Sequence, residues 1–462
     1  MNLSKKLVTV IFVGISINLL AQPPVNLTDI LIQKGIITQR EADSIAVTAD
    51  FNEKENIQNK SFIVGLDFRP RAEFRDGYRI LPNDTTSPAF FVSNRSRLLF
   101  TYQSKGFIFH TSIQDVRVWG AEGQFSKGSN LGIFEAYVEP SLNENFSVRI
   151  GRQKLDIDNN RLFSPANWSQ FSRAHEGVRL FYNSEKLSTD VMGAFSQAKE
   201  NVFETDFTSP TNNYKVMAFH HLTYKLTKNI QLMTINVVDG YEHKTNPDVL
   251  YLRATSGGRL TFIKNDFVFT TAAYYQYGND VSGAEIDAFY VQPEIKYKWF
   301  GKLTSTLGAE IQSGDDAQNP DNIYNSFVSL FGVAHRFMGN MDYFTSFPKD
   351  VKNGGLVNPY LFLNYQLNKK LSIRVDGHLF YTQNKVVDTK GDVIDSYLGF
   401  ENDFSFKYKF NEYTTLDVGF SYLLAEKSME TLKGGDSDNI ALWSMCMITF
   451  KPELFNYKTT SK

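Results

Sequence analysis

The sequence predicts an all-β fold, a transmembrane antiparallel β-barrel of about 18 strands with a short N-terminal helical extension. Three observations lead to this fold class. The chain begins with an export signal, long segments alternate apolar and charged residues, and no later stretch approaches the roughly 18 consecutive apolar residues that a helical membrane span needs. Because only closed barrels satisfy backbone hydrogen bonds in lipid without helices, the expected location is the outer membrane of a Gram-negative bacterium.

Four regions are expected along the chain. Residues 1–21 read as a signal peptide, since Lys5 and Lys6 precede an apolar segment that ends at Ala21. Residues 22–60 are expected to form a periplasmic helical extension and linker, in which Thr38 and Glu41 have capping-box spacing. A spacer and a partner-binding element both remain open for this extension. Residues 61–451 form the expected barrel, and residues 452–462 a C-terminal tail.

The first expected strand carries the clearest alternation. Phe62, Val64, Leu66 and Phe68 lie on one face, and a charged series beginning at Asp67 lies on the other. A strand of this length with one fully charged face fits a wall between lipid and a wet lumen. The same period recurs throughout the chain, and short turns alternate with longer polar loops, which is typical of outer-membrane barrels.

Composition excludes several other classes. The formal net charge of −2 predicts no attraction to nucleic acid, and the single cysteine, Cys446, excludes a disulfide framework within the chain. We find no G-x-S-x-G motif and no zinc or EF-hand spacing, so no cofactor, no metal and no enzymatic activity are expected. The side-chain oxygens of Asp156-Ile157-Asp158-Asn159 and Gly314-Asp315-Asp316 leave a bound Ca²⁺ open as an alternative. His220 and His221 adjoin on one expected strand and therefore face opposite sides.

Arginine is concentrated in the first part of the barrel, where 12 of the 17 arginines lie between Arg69 and Arg179. Guanidinium groups keep their charge and bind carboxylates or phosphates in planar pairs. A loop after Val148, rich in both arginine and aromatic residues, is expected to fold into the lumen. The expected pore-lining and substrate-binding residues are Arg69, Arg71, Arg75, Arg95, Arg97, Arg117, Arg149, Arg152, Arg161 and Arg173. The expected lumenal counter-charges are Asp67, Glu73, Asp115, Glu135, Asp156 and Asp158. An alternative is that these ion pairs only hold the loop and the wall in place.

Several motifs resemble the alginate export family of outer-membrane barrels. They are Arg69-Pro70-Arg71-Ala72-Glu73, Asn94-Arg95-Ser96-Arg97-Leu98, Gln114-Asp115-Val116-Arg117-Val118-Trp119-Gly120, Glu135-Ala136-Tyr137, Gly151-Arg152-Gln153, Asn160-Arg161-Leu162, Asn167-Trp168, Gly332-Val333-Ala334-His335-Arg336-Phe337 and Met341-Asp342-Tyr343-Phe344. The resemblance covers about residues 62–450. It implies an eighteen-stranded monomer with an arginine-rich, anion-selective constriction, whose alginate-secreting members pass a uronate polymer outward. The N-terminal extension and the tail depart from this pattern and leave the oligomeric state and periplasmic export partners open.

Three functions from different classes follow. The arginine distribution favours an anion-selective porin or anionic-polysaccharide channel, with outer-membrane lipid and an anionic sugar as its partners. A plugged structural or adhesive barrel is the second, because the loop carries aromatic anchors of its own. A barrel lipase is the third, and it would need a Ser/His pair such as Ser112 and His110.

Overall fold

The computed structural model describes residues 60–125, 130–203, 209, 213–243, 246, 249–335 and 337–459. The expected signal peptide, the two expected helices of the extension and Arg336 lie outside the described residues. Among the residues that are described, no helix is long and apolar enough to cross a membrane.

The wall consists of long strands connected in chain order. The strands are β1 (Ser61–Asp76), β2 (Ala89–Ser104), β3 (Phe107–Val118), β4 (Leu131–Pro140), β5 (Phe146–Gln153), β6 (His175–Asn183), β7 (Leu187–Phe195), β8 (Val216–Lys225), β9 (Ile230–Glu242), β10 (Leu250–Lys264), β11 (Phe267–Asn279), β12 (Glu285–Trp299), β13 (Leu303–Gln312), β14 (Ile323–Tyr324), β15 (Leu356–Gln366), β16 (Leu371–Thr382), β17 (Tyr397–Lys409), β18 (Thr414–Ala425), β19 (Ala441–Phe450) and β20 (Glu453–Lys458). In the described part of the chain, the helix α1 (Lys427–Lys433) and a 3-10 turn (Lys349–Val351) lie in connections.

Pairing of the first strand with the last closes the sheet. Each wall strand is antiparallel to its neighbours, and β1 pairs with β2 on one side and with β19 and β20 on the other. The two-residue β14 lies beside β12 in parallel, and β13 pairs directly with β15. Within the described residues, the wall is thus a closed antiparallel barrel of 18 strands, which confirms the all-β fold class.

The C-terminal segment differs from the expected tail. Residues 453–458 form β20, which continues the pairing of β19 with β1 after a break at Pro452. The amide of Leu66 donates to the Pro452 carbonyl at 3.1 Å, so the edge stays closed across the break. The alternation in this segment is too short to distinguish a strand from a polar tail in the sequence.

The two faces of the wall differ as the alternation predicts. On β12, Tyr290 and Gln292 are buried towards the lumen, whereas Phe289 and Ile295 are more than 40% exposed on the outside. The eight short connections, such as 105–106 and 300–302, lie at one end of the barrel, and the long ones lie at the other. Short turns mark the periplasmic end of outer-membrane barrels.

Candidate functional site

The loop between β5 and β6, residues 154–174, folds into the lumen. We call it the first lumenal loop. Its apolar side chains Leu155, Ile157, Leu162 and Phe163 are at most 4% exposed. They pack against lumen-facing residues of β7–β12, and the Phe163 ring lies 5.1 Å from that of Phe219 on β8. Apolar packing therefore fills much of this part of the lumen, which the sequence analysis did not predict.

The connection between β13 and β15, residues 313–355, is the second lumenal loop. It binds the first loop through its backbone: Phe331 forms an isolated parallel bridge with Phe163, and its amide donates to the Leu162 carbonyl at 3.0 Å. At Gly332 an added Cβ would lie 1.9 Å from the Arg161 carbonyl oxygen, so only glycine permits this approach. We call the two loops, packed together inside the lumen, the plug.

Three arginines of β1 and β2 hold the first lumenal loop against the wall. Arg69 is 1% exposed; its guanidinium donates to the Asn167 carbonyl at 2.7 Å, the Ser169 carbonyl at 3.0 Å and the Gln170 side-chain oxygen at 2.9 Å. We call the three side chains Arg69, Arg71 and Arg95 the arginine anchor. Arg71 donates to the Trp168 carbonyl at 2.9 Å. Arg95 donates to the Asn167 and Ser172 side chains and forms an ion pair with Asp67 at 2.6 Å.

Two loop arginines join the two loops to each other. Arg161 forms a 2.9 Å ion pair with Glu310 of β13, and both side chains are at most 1% exposed. It also donates to the Val333 carbonyl at 3.0 Å. Arg173 donates to the carbonyls of Phe331 and Gly332, the latter at 3.1 Å. Burial lowers the pKa of Arg173 from its ordinary value.

The remaining expected arginines divide between the two faces of the wall. Arg75, Arg97 and Arg149 face the lumen, where they contact Glu73, Gln114 and Glu139 respectively. Arg149 also lies over the Tyr137 ring, at 4.3 Å from its centroid.

Arg117, Arg152 and Asp115 do not face the lumen. Asp115 pairs with Ser96, one residue from the inward Arg97, and Arg117 binds Asp115 at 2.7 Å. Arg152 pairs in register with Glu176, and the side chains of these two residues are 3.1 Å apart. Glu176 lies two residues before Val178 in the same strand, and Val178 is exposed on the outside. Because paired and alternate residues share a face, these groups lie on the outside of the barrel.

The other expected counter-charges have lumenal partners. Glu73 accepts from Arg71 and Arg75, and Glu135 lies 3.6 Å from the Lys154 ammonium. In the first lumenal loop, Asp156 accepts from Asn160 and Asp158 pairs with Arg259 at 2.5 Å. Arg259, on β10, lay outside the expected set because it is distant in the sequence.

Lysines and one arginine near the periplasmic end were also missed. Alternation with the buried Tyr290 and Gln292 places Lys296 and Lys298 of β12 on the lumenal side, close to the short turn after Trp299. By the same rule Arg374 of β16 shares a face with the buried Asp376, and Lys407 of β17 with the buried Asp403. We call Lys296, Lys298, Arg374 and Lys407 the periplasmic cation group. The alternation of lumen-facing and outward-facing residues along these strands was the sequence signal that could have identified the four cations.

A histidine and a carboxylate connect three loops at the extracellular side. His335 stacks on Trp168, with ring centroids 3.9 Å apart, and its Nδ1 lies 2.7 Å from the Asp342 carboxylate. Tyr78, in the β1–β2 connection, donates to the same carboxylate, and Arg79 lies 3.3 Å from it. Burial acts to raise the pKa of Asp342, but the charge and hydrogen bond of His335, the Tyr78 hydroxyl and Arg79 together hold it below its ordinary value.

The Asp342 contacts predict a pH dependence. A lowered folded pKa means that the carboxylate stabilises the folded loops above its unfolded pKa of about 3.9, and that this stabilisation is lost as the pH falls through the folded value. Asp342→Asn should cost about 2 kcal/mol at pH 7. In thermal unfolding from pH 7 to pH 3, the difference between the variant and the wild type should shrink below about pH 4. An unchanged difference at pH 3 would contradict this account.

The residues considered for catalysis or metal binding have other contacts. Ser112 accepts a hydrogen bond from the Glu135 amide at 3.1 Å, and His110 contacts Thr101 at 2.8 Å. No three His, Cys, Asp or Glu side chains of the described ranges come together as a metal site.

The fold and the sequence can be compared with known proteins. The chain has 14% identity to OccAB4 of Acinetobacter baumannii, with a TM-score of 0.60 over 88% of this chain and 100% of that one. It has 12% identity to OpdK of Pseudomonas aeruginosa, solved with vanillate, with a TM-score of 0.57 over 86% of this chain and 99% of that one. These likenesses show a shared barrel fold. No curated protein matches the chain.

The family profile described as Alginate export matches residues 60–426, which include nearly the whole wall and both lumenal loops. The chain therefore belongs to the alginate export family of outer-membrane β-barrels.

Proposed function

We propose that the protein is an outer-membrane channel that passes anionic solutes or an anionic polysaccharide, such as a uronate polymer, along the arginine-lined side of its lumen. The observation that carries the proposal is the arginine anchor. Arg69 donates to neutral acceptors in the loop, the backbone carbonyls of residues 167–169 and the Gln170 side-chain oxygen, whereas Arg71 donates both to the Trp168 carbonyl and to the Glu73 carboxylate. Carboxylates are stronger acceptors for guanidinium groups than carbonyls are.

This difference supports a mechanism in which the substrate replaces the loop. A carboxylate that reaches Arg69, Arg71 or Arg95 exchanges a neutral hydrogen bond for a charged one, which favours the released loop. Successive guanidinium groups on β1 and β2 then provide weak sites between which an anionic chain moves. The periplasmic cation group would attract such a chain towards the lumen from the periplasmic end.

A planar-bilayer recording tests the proposal. The refolded protein should pass anions in preference to cations, and an oligouronate should block the current where a neutral oligosaccharide of equal length does not. The predicted selectivity rests on the arginine anchor and on the periplasmic cation group, in which Arg374 pairs with Asp376 and Lys407 lies 3.7 Å from Asp417. A preference for cations, or equal block by both oligosaccharides, would contradict it.

The periplasmic cation group makes a separate prediction. Changing Lys296, Lys298, Arg374 and Lys407 together to Gln should slow block from the periplasmic side by roughly tenfold or more, because steering by charge acts on association rates. Block from the extracellular side should change little. Arg152→Gln, which alters an arginine on the outer face, is the matched control.

A second candidate function is supported by a different observation. Two apolar clusters fill much of the extracellular half of the lumen, one around Phe163 and Phe327 and the other around Phe344 and Trp443. Such packing favours a plugged structural barrel. A folded protein that shows no conductance with or without an oligouronate would favour this alternative over the channel.

A further inference from the structure

The outside of the wall carries polar side chains where lipid is expected. His220 on β8 pairs in register with Asn236 on β9, and Asn236 pairs with Ser256 on β10. Alternation places all three outwards, because Phe219, Val237 and Thr255 beside them are buried towards the lumen. On the same outer face, Val238 and Leu252 are exposed. We call His220, Asn236 and Ser256 the outer polar row.

The outer polar row lies at the middle of the membrane-spanning wall. Asn236 is the central residue of β9, whose 13 residues run from Ile230 to Glu242. The apolar band of such barrels is about 25 Å tall, so the centre of a strand of this length lies within hydrocarbon. Polar groups at this depth are unfavourable against lipid and usually face a protein partner.

The Asn236 amide is available for such a contact. Its side chain is exposed, and it has no hydrogen-bond partner in the part of the chain that the structure describes. The His220 Nε2 is 2.9 Å from the Thr189 hydroxyl, which fixes the ring beside Asn236. Because lipid tails cannot accept or donate hydrogen bonds, the amide is satisfied only by another polar group.

The surface around the row permits close packing. Five small residues lie at outward positions beside the row, Ala218, Ala254 and Gly258 in the same strands and Gly193 and Ala273 in the two flanking strands, next to the larger Leu222 and Val238. Ala218 and Ala273 are exposed. Small residues at a surface within lipid let two backbones approach closely, which increases the dispersion contacts between them.

We propose that a second copy of this chain packs on the outer polar row, with Asn236 at a two-fold axis along the membrane normal. All copies insert in the same orientation, so a closed pair in the membrane has its axis in that direction. An isologous contact requires a group that is complementary to itself. A carboxamide meets this requirement because it both donates and accepts, so Asn236 of each copy can bind the amide of the other.

This proposal concerns the outer face alone and does not depend on conduction through the lumen. The family resemblance implies a monomer, and the proposed pair departs from that expectation. The only cysteine, Cys446, is exposed on β19, across the barrel from β9, and must be removed before the test.

Disulfide cross-linking in native outer membranes tests the contact. In a Cys446→Ser background, Asn236→Cys should give a covalent dimer on mild oxidation, because a residue at a two-fold axis meets its own copy. Leu307→Cys is the matched control, since Leu307 is 60% exposed on the outer face of β13. We expect at least a tenfold higher dimer yield for Asn236→Cys than for Leu307→Cys.

A second variant separates the contact from random collision. Asn236→Leu keeps the side-chain size and removes the hydrogen bonds, so it should lower the dimer fraction in native mass measurements at least tenfold, while heat-modifiable gel mobility shows that the barrel still folds. Equal dimer yields at positions 236 and 307 would overturn the proposal. So would a monomer alone, or an Asn236→Cys adduct whose mass is that of a different protein.

Discussion

Replacing Arg69 by alanine is expected to open the lumen. The buried guanidinium makes hydrogen bonds to three successive carbonyls and to Gln170, all in the first lumenal loop. Hydrogen bonds of charged groups contribute about 1.5–3 kcal/mol each, and they are not additive when they share one side chain. A total loss of about 3 kcal/mol would raise the ratio of open to closed channels about 100-fold. Single-channel recordings should therefore show longer and more frequent open intervals.

The control for this prediction is an arginine of similar size outside the lumen. Arg152→Ala removes a guanidinium that lies on the outer face with Glu176, and it should leave the conductance unchanged. Gln170→Ala removes one partner of Arg69 and should give a smaller effect in the same direction. If Arg69→Ala folds and conducts as the wild type does, the arginine anchor does not hold the loop closed.

The barrel was predictable because a strand places alternate side chains on opposite faces whatever the rest of the fold does. On β1 this period alone put Arg69, Arg71 and Arg75 on the lumenal side, and the structure places them there. Closure at the C-terminal end was harder to predict. Pro452 interrupts the pattern, and the short β20 gains its pairing only from the presence of β1.

The positions of Arg117 and Arg152 show that the charge of a residue alone does not predict which face of the barrel it lies on. On β5, Val148 and Ile150 already marked the lipid-facing positions, and Arg152 follows in the same period. The expectation treated Arg152 as part of the loop because of its charge. The structure extends β5 to Gln153, so the period and not the charge decides its face.

The packing inside the lumen depends on contacts between residues that are far apart in the sequence, and such contacts cannot be recognised from local patterns. The first lumenal loop has aromatic anchors that predicted packing, but the contacts of Arg173 with its partner segment join residues 158 and 159 positions apart, and that segment has no clear period. Phe327 and Phe331 of that segment meet the inward-facing Tyr290 and Phe163. A lone aromatic in a loop gives no sign of which wall it will contact, so the plug could not be predicted without the structure.

Removing either member of the Arg161–Glu310 pair is expected to have the largest effect on stability. The two side chains are almost fully buried, and Glu310 also accepts a hydrogen bond from the Tyr290 hydroxyl. A buried charge left without its partner typically costs 3–5 kcal/mol, as a rough range. Arg161→Met and Glu310→Met should each lower the unfolding midpoint of the folded barrel in urea, as followed by heat-modifiable gel mobility.

The double variant decides whether the loss arises from the unpaired charge. With both groups replaced by methionine, neither member of this pair is left as an unpaired buried charge, so the double variant should be more stable than the sum of the single effects predicts, by roughly 0.5–3 kcal/mol. The exposed Arg152–Glu176 pair is the comparison, because surface ion pairs contribute about 0–1 kcal/mol. Strict additivity at Arg161 and Glu310 would mean that the two loops are joined by their backbone contacts and apolar packing, and that the ion pair contributes little to the plug.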